Sequence, residues 1–192
     1  MFNNGFLHNL QQLTGLSETD LAAVSNCFEY RKIKKKTNLL RAGKVAHEVY
    51  FILTGCIRLY YEKDGEDISA YFFTEGAFAG AYDSFISQQP SRHFIETIEP
   101  CEVMAVSYKN FNQLLVDFPQ TNEFVRKVMD ERFISLHQHY TSLILDSPEE
   151  RYLNLLHHRP DLLNRVAQHQ IATFLGVTSV SLSRIKNRVT KK

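Results

Sequence analysis

A chain of 192 residues with 44% apolar and 22% charged residues has room for one medium globular domain and a small one. It contains no apolar run of the roughly eighteen residues that a transmembrane helix needs, and the start, Met1-Phe2-Asn3-Asn4-Gly5-Phe6, lacks the basic-then-apolar pattern of a secretory signal. Net charge is +1, but residues 148–192 hold eight Lys or Arg against three acids, a local +5, which leaves the rest at −4. This asymmetry points to a polyanion partner at the C-terminal end. Cys27, Cys56 and Cys101 are widely spaced and odd in number. They read as reduced thiols of a cytoplasmic protein. They cannot supply the four-cysteine ligand set of an iron–sulfur cluster or a zinc site.

In chain order, Leu16-Ser17-Glu18-Thr19-Asp20 opens a short helix with Ser17 as N-cap, and Leu21, Val24, Cys27 and Phe28 follow at helical spacing. Residues 30–108 read as many short strands. Val49-Tyr50-Phe51-Ile52-Leu53 stops at Thr54-Gly55. Ile57, Leu59 and Tyr61 alternate with Arg58 and Tyr60, and Asp64-Gly65 marks a tight hairpin before Ile68, Ala70 and Phe72 resume the alternation. Turn glycines at 43, 55, 65 and 76 suit a small barrel or jelly roll. A long helix is expected from Gln120 to Leu145. Its stripe of Val125, Met129, Phe133, Leu136, Tyr140 and Leu143 fits a coiled-coil-like dimer seam; the plainer alternative is a helix lying on the barrel. Ser147-Pro148-Glu149-Glu150 breaks that helix and caps the next.

The strongest signal lies at residues 168–187. Ile171 and Leu175, then Leu182 and Ile185, can close a small core between two helices. Ala172 is small where the helices cross, Gly176 allows a positive φ at the turn, Val177 plugs it, and Thr178 caps the second helix. Together these make a helix-turn-helix whose second helix would enter a DNA major groove. The expected DNA-binding residues are Gln168, His169, Thr178, Ser179, Val180, Ser181, Ser183, Arg184, Lys186 and Arg188. Arg184 is the candidate for bidentate reading of a guanine, and Val180 for a thymine methyl. Ser179 and Ser183 could bond a base or a phosphate, while Lys186, Arg188, Lys191 and Lys192 suit phosphates. An ordinary antiparallel helix pair used for protein docking is the competing reading. No catalytic constellation is apparent, since His137, His139, His157 and His158 lack carboxylate or cysteine partners at useful spacing, and an enzyme is not expected.

With these parts in order, the chain resembles the catabolite-activator and fumarate-nitrate-regulator (Crp-Fnr) superfamily. The resemblance rests on the Gly43 turn, Val49-Tyr50-Phe51-Ile52-Leu53-Thr54-Gly55, Glu75-Gly76-Ala77-Phe78-Ala79-Gly80, the helix bearing Arg151 and the motif at 168–187. It implies an α+β chain: a cyclic-nucleotide-binding-type barrel over 1–118, a dimerisation helix and hinge over 119–147, and a helix-turn-helix domain over 148–192 with a reduced or absent wing. The implied function is that of a homodimeric transcription regulator. Its implied partners are double-stranded DNA, a second copy of the chain and RNA polymerase, with no membrane. The alternative is a small-ligand module acting through protein partners, with a degenerate motif.

The implied effector pocket comprises Phe78, Ala79, Gly80, Ala81, Tyr82, Ser91, Arg92 and His137. There the family pattern breaks. Ala81 stands where cyclic-nucleotide binders carry a glutamate for the ribose hydroxyl, Ser91-Arg92 inverts their Arg-Ser pair for the phosphate, and Leu136-His137 replaces a hydroxyl pair. Cyclic AMP is therefore not expected, which leaves another small effector or an empty structural barrel. A haem sensor is disfavoured because no His or Cys occupies a recognisable ligand position.

Overall fold

The computed structural model describes residue 7, residues 10–12 and residues 14–190, and Lys191 and Lys192 lie outside the described residues. The architecture is α+β. Helix α1 (Glu18–Ser25) begins at Ser17, whose hydroxyl accepts from the Asp20 N–H as its sequence suggests. It ends before Cys27 and Phe28. Eight strands follow: β1 (Glu29–Ile33), β2 (Asn38–Leu40), β3 (Glu48–Thr54), β4 (Ile57–Lys63), β5 (Glu66–Phe73), β6 (Phe78–Ala79), β7 (Phe94–Thr97) and β8 (Cys101–Ser107). They pair antiparallel in two four-stranded sheets, β1-β8-β3-β6 and β2-β7-β4-β5. Between the sheets lie Ile52, Ile57, Phe73, Ile95 and Val103, all buried. Asp64 and Gly65 both take positive φ in the β4–β5 hairpin, as the two-residue turn requires.

Short helices α2 (Tyr82–Ser87) and α3 (Tyr108–Asp117) flank the sheets, and α4 (Thr121–Leu145) is a single helix of 25 residues. The C-terminal unit holds α5 (Pro148–His158), α6 (Pro160–Arg165), α7 (Gln168–Phe174) and α8 (Ser179–Thr190). Helix α5 opens with a full capping box, Ser147 and Glu150 each bonding the other's backbone N–H. Among the described residues no strand follows β8, so none of them builds a wing beside the helix pair.

Two expectations need correction. The alternation in β4 and β5 does not divide inside from outside: Arg58 and Tyr60 are buried, and Tyr61 is exposed. The register shifts between Leu59 and Tyr60, and Arg58 is buried because Asp67 and Glu96 pair with it at 2.9 and 3.0 Å while Tyr60 stacks 3.9 Å from its guanidinium. In β5 both Phe72 and Phe73 are buried, because Phe73 faces the barrel core and Phe72 faces the C-terminal unit. The stripe on α4 is also divided. Val125 and Met129 pack towards the barrel, whereas Phe133 is 70% and Tyr140 64% exposed, with Leu136 and Leu143 also open. The N-terminal part of α4 thus lies on the barrel, and the exposed part is the portion available to a second helix.

Candidate nucleic-acid interface

Helices α7 and α8 meet across a small apolar core. Ile171, Ala172, Leu175, Leu182 and Ile185 are buried together with Tyr152, Leu155 and Leu162 from α5 and α6. Gly176 ends α7 with φ +66°, and an added Cβ there would approach the Leu143 side chain at 3.2 Å. Val177 packs against this core from the turn. Thr178 caps α8, its hydroxyl accepting from the Ser181 N–H at 3.2 Å and donating to the Ser181 hydroxyl at 3.0 Å. Arg151 ties the pair to the end of α4, donating to the carbonyls of Leu175 at 2.8 Å and Asp146 at 2.6 Å.

The outer face of α8 follows from that packing. With Leu182 and Ile185 turned inward, Ser179, Val180, Ser183 and Arg184 are exposed on the opposite side, and Val180 is 62% exposed. An exposed β-branched residue between two hydroxyls and a guanidinium is poorly suited to water and well suited to a groove that offers methyl groups, acceptors and phosphates. Gln168 and His169 are exposed at the start of α7. Ser181 and Lys186 are half-buried. Arg188 is exposed, 3.4 Å from Glu149. Eight of the ten expected contact residues are thus exposed at the α7 start, the turn or the outer side of α8; Ser181 is tied to the cap, and Lys186, four residues after the buried Leu182, is half-buried.

The expected barrel pocket is not brought together as a set. Phe78, Ala79, Gly80 and Tyr82 line a cavity of about 40 Å³ against Val125 and Met129 of α4, far below the roughly 300 Å³ of an ordinary small-molecule pocket. Ala81 faces a neighbouring cleft of about 350 Å³ with Tyr50, His47 and Glu48. The Glu48 carboxylate there is already taken by Arg31, at 2.8 Å to each oxygen, and by the Tyr50 hydroxyl at 3.0 Å. Among the described residues no Lys or Arg lines that cleft, so the guanidinium that a bound phosphate favours is not supplied there. The Ser91 hydroxyl is spent on the His93 backbone. Arg92 is exposed. His137 lies on α4 in a different cleft, between that helix and the C-terminal unit.

The residue that enters the barrel pocket from α4 is Arg132, which the sequence reading missed. It donates to the carbonyls of Phe78 at 3.0 Å and Gly80 at 3.2 Å, with its guanidinium 4.5 Å from the Phe73 ring centroid. Burial pulls its pKa below the usual arginine value. The available signal was a cation three residues after Met129 and four after Val128, on the helical face turned to the barrel. Nearby, the Tyr71 hydroxyl and Ser135 bond at 3.1 Å, and His93 is buried 3.4 Å from Asp83, its pKa lowered chiefly by burial.

Burial pushes the thiols of Cys56 and Cys101 up to about 12 and about 11, so both stay protonated at neutral pH. Among the described residues no group of three or more His, Cys, Asp or Glu could hold a metal ion, and no helix is long and apolar enough to cross a membrane.

Residues 30–118 match the family model described as cyclic nucleotide-binding domain. The chain is similar to the cAMP-activated global transcriptional regulator CRP of Pasteurella multocida, 30% identical over 93 residues, 48% of this chain and 44% of that protein. The chain thus spans less than half the length of that relative. It is also similar to the CRP-like protein Clp of Xanthomonas campestris pv. campestris, 20% identical over 83% of this chain and 76% of that protein. Among solved structures, the c-di-GMP-responsive global regulator CLP of Xanthomonas campestris superposes with a TM-score of 0.72 at 18% identity, covering 91% of this chain and 92% of that one. A CooA mutant from Carboxydothermus hydrogenoformans gives 0.73 at 18% identity, covering 95% and 84%. These two likenesses establish the shared fold.

Proposed function

We propose that the chain is a homodimeric, sequence-specific DNA-binding transcription regulator of the Crp-Fnr superfamily with an altered effector pocket, a reading supported by its match to the cyclic nucleotide-binding domain and by its CRP-like fold. The observation that carries this reading is the exposed flank of α8, where Ser179, Val180, Ser183 and Arg184 project from a helix whose other side is fixed by Leu182 and Ile185. Domains at 1–118, 119–147 and 148–192 serve as barrel, dimer helix with hinge, and reader. A cytoplasmic location follows from that role. Ala81, the paired Glu48 and Ser91, whose hydroxyl is engaged by the His93 backbone, argue against a cyclic nucleotide and leave another small effector, or none, for the barrel.

The test is binding to a panel of single-base operator variants at several salt concentrations. Arg184→Ala is expected to cost about 1–3 kcal/mol on the cognate site and to relax preference at one base position. Lys186→Ala is expected to weaken all sequences alike and to lower the salt slope by about one unit. If Arg184→Ala shifts overall affinity with the preference profile unchanged, Arg184 is a phosphate contact, and specificity lies in Ser179, Val180 and Ser183 or in DNA shape.

A further inference from the structure

The C-terminal unit is docked on the barrel of its own chain as well as hung from α4. Phe174 stacks edge-on against Phe72 at 5.3 Å and face-on against His139 at 4.2 Å. The Ser69 N–H of β5 donates to the Thr173 hydroxyl at 3.1 Å, and Arg159 donates to Thr74 at 3.1 Å. The most polar element is Arg165, at the end of α6. Its two terminal nitrogens donate to the two oxygens of Glu75 at 2.9 and 2.8 Å, and its Nε donates to Glu99 at 3.1 Å, with Nη2 also on Glu99. Glu75 follows β5 and Glu99 precedes β8, and Glu75 also accepts from the Gly55 N–H between β3 and β4 at 2.8 Å. One guanidinium therefore joins the C-terminal unit to three turns at one end of the barrel.

We propose that Arg165 is a positioning residue for DNA binding, an interdomain clamp that fixes the angle at which α8 is presented. The inference rests on the DNA-binding reading above. Between α4 and α5 lie only Asp146 and Ser147, both in extended backbone, so the covalent link alone sets no single angle. A two-fold dimer engages two half-sites only if both reading helices are held at the spacing of one DNA turn. The clamp leaves that face open, since Val180, Ser183 and Arg184 are exposed while it is closed. Docking and DNA contact are therefore compatible. A bidentate Arg–carboxylate pair has the fixed planar geometry that such alignment needs.

The informative variant is Glu75→Gln with Glu99→Gln in the full chain, because it alters the barrel and leaves the reader untouched. Removing two negative charges should by electrostatics alone strengthen binding to DNA. The clamp predicts the opposite: affinity for a duplex with two half-sites falls at least about tenfold, part of the avidity that linked sites provide. Affinity for a single half-site stays within about twofold, because one reader suffices there. Arg165→Ala should repeat the pattern, and Arg165→Lys should restore part of it. Amide exchange at Ser69 supplies a DNA-free readout, and faster exchange is expected in both clamp-breaking variants. Unchanged or tighter two-site binding, or an equal loss on one and two half-sites, overturns the clamp. A wild-type protein that binds no duplex overturns the DNA-binding reading and this inference with it. Slow Ser69 exchange that the variants do not alter overturns the clamp whatever the DNA result.

Discussion

Phe133→Asp with Leu136→Asp should convert the protein to monomers and lower its affinity for a two-half-site duplex by roughly a hundredfold or more. Phe133, Leu136, Tyr140 and Leu143 follow one another along α4 at steps of three and four, and all four are open to water in the single chain. Covering a large apolar side chain contributes about 1.5–3 kcal/mol, and two-fold symmetry doubles each contribution. Aspartates at the same positions would have to enter the seam unpaired, at a further cost. Neither residue is among the buried core of the barrel or of the C-terminal unit, so each protomer should keep its fold. Sedimentation equilibrium at micromolar concentration checks the first half, and titration of the duplex checks the second. A wild-type monomer, or a double variant that still dimerises, contradicts the seam.

Leu182→Ala should destabilise the C-terminal unit by about 2–5 kcal/mol. Leu182 is 1% exposed and packs among Ile171, Ile185, Leu162 and Tyr152. A unit this small has little stability to spare on its own, so a loss of that size approaches its whole margin. Because the same cluster includes Cys56, Phe72 and Ile98 of the barrel, the loss should appear in denaturant unfolding followed at either end of the chain. A change below about 1 kcal/mol would mean that the site collapses around the missing methyls and that the two helices are held by other contacts.

The elements legible in the sequence are those whose determinants are local. Gly176 and Thr178 each act within one turn of the chain, through a positive φ and a cap, and the helix pair they predict is present. Ser147 and Glu150 announce α5 in the same way. What could not be read depends on distant partners. Arg58 looks like an outward residue of an alternating strand until Asp67, Glu96 and Tyr60 are placed around it. Ser69 and Phe72 carry no mark of the docking surface they form with Thr173 and Phe174, more than a hundred residues away in the chain. The barrel pocket shows the same limit. Gly80 and its neighbours were found through their turn, but the arginine that reaches them comes from α4 as Arg132, and Arg92 and His137 lie elsewhere. The apolar stripe was legible as a stripe. Its division between barrel and solvent at about Met129 depends on where α4 crosses Phe78 and Tyr82.

The central claim, that the exposed flank of α8 reads DNA sequence in a two-fold dimer, is tested most directly by sequencing the fragments that the full chain retains from a random duplex pool at moderate salt. The account predicts enrichment of a two-fold-symmetric site whose half-sites lie about 10 base pairs apart, lost in Arg184→Ala at the base that Arg184 reads. Retention of fragments with no shared sequence, or of none at all, would contradict it.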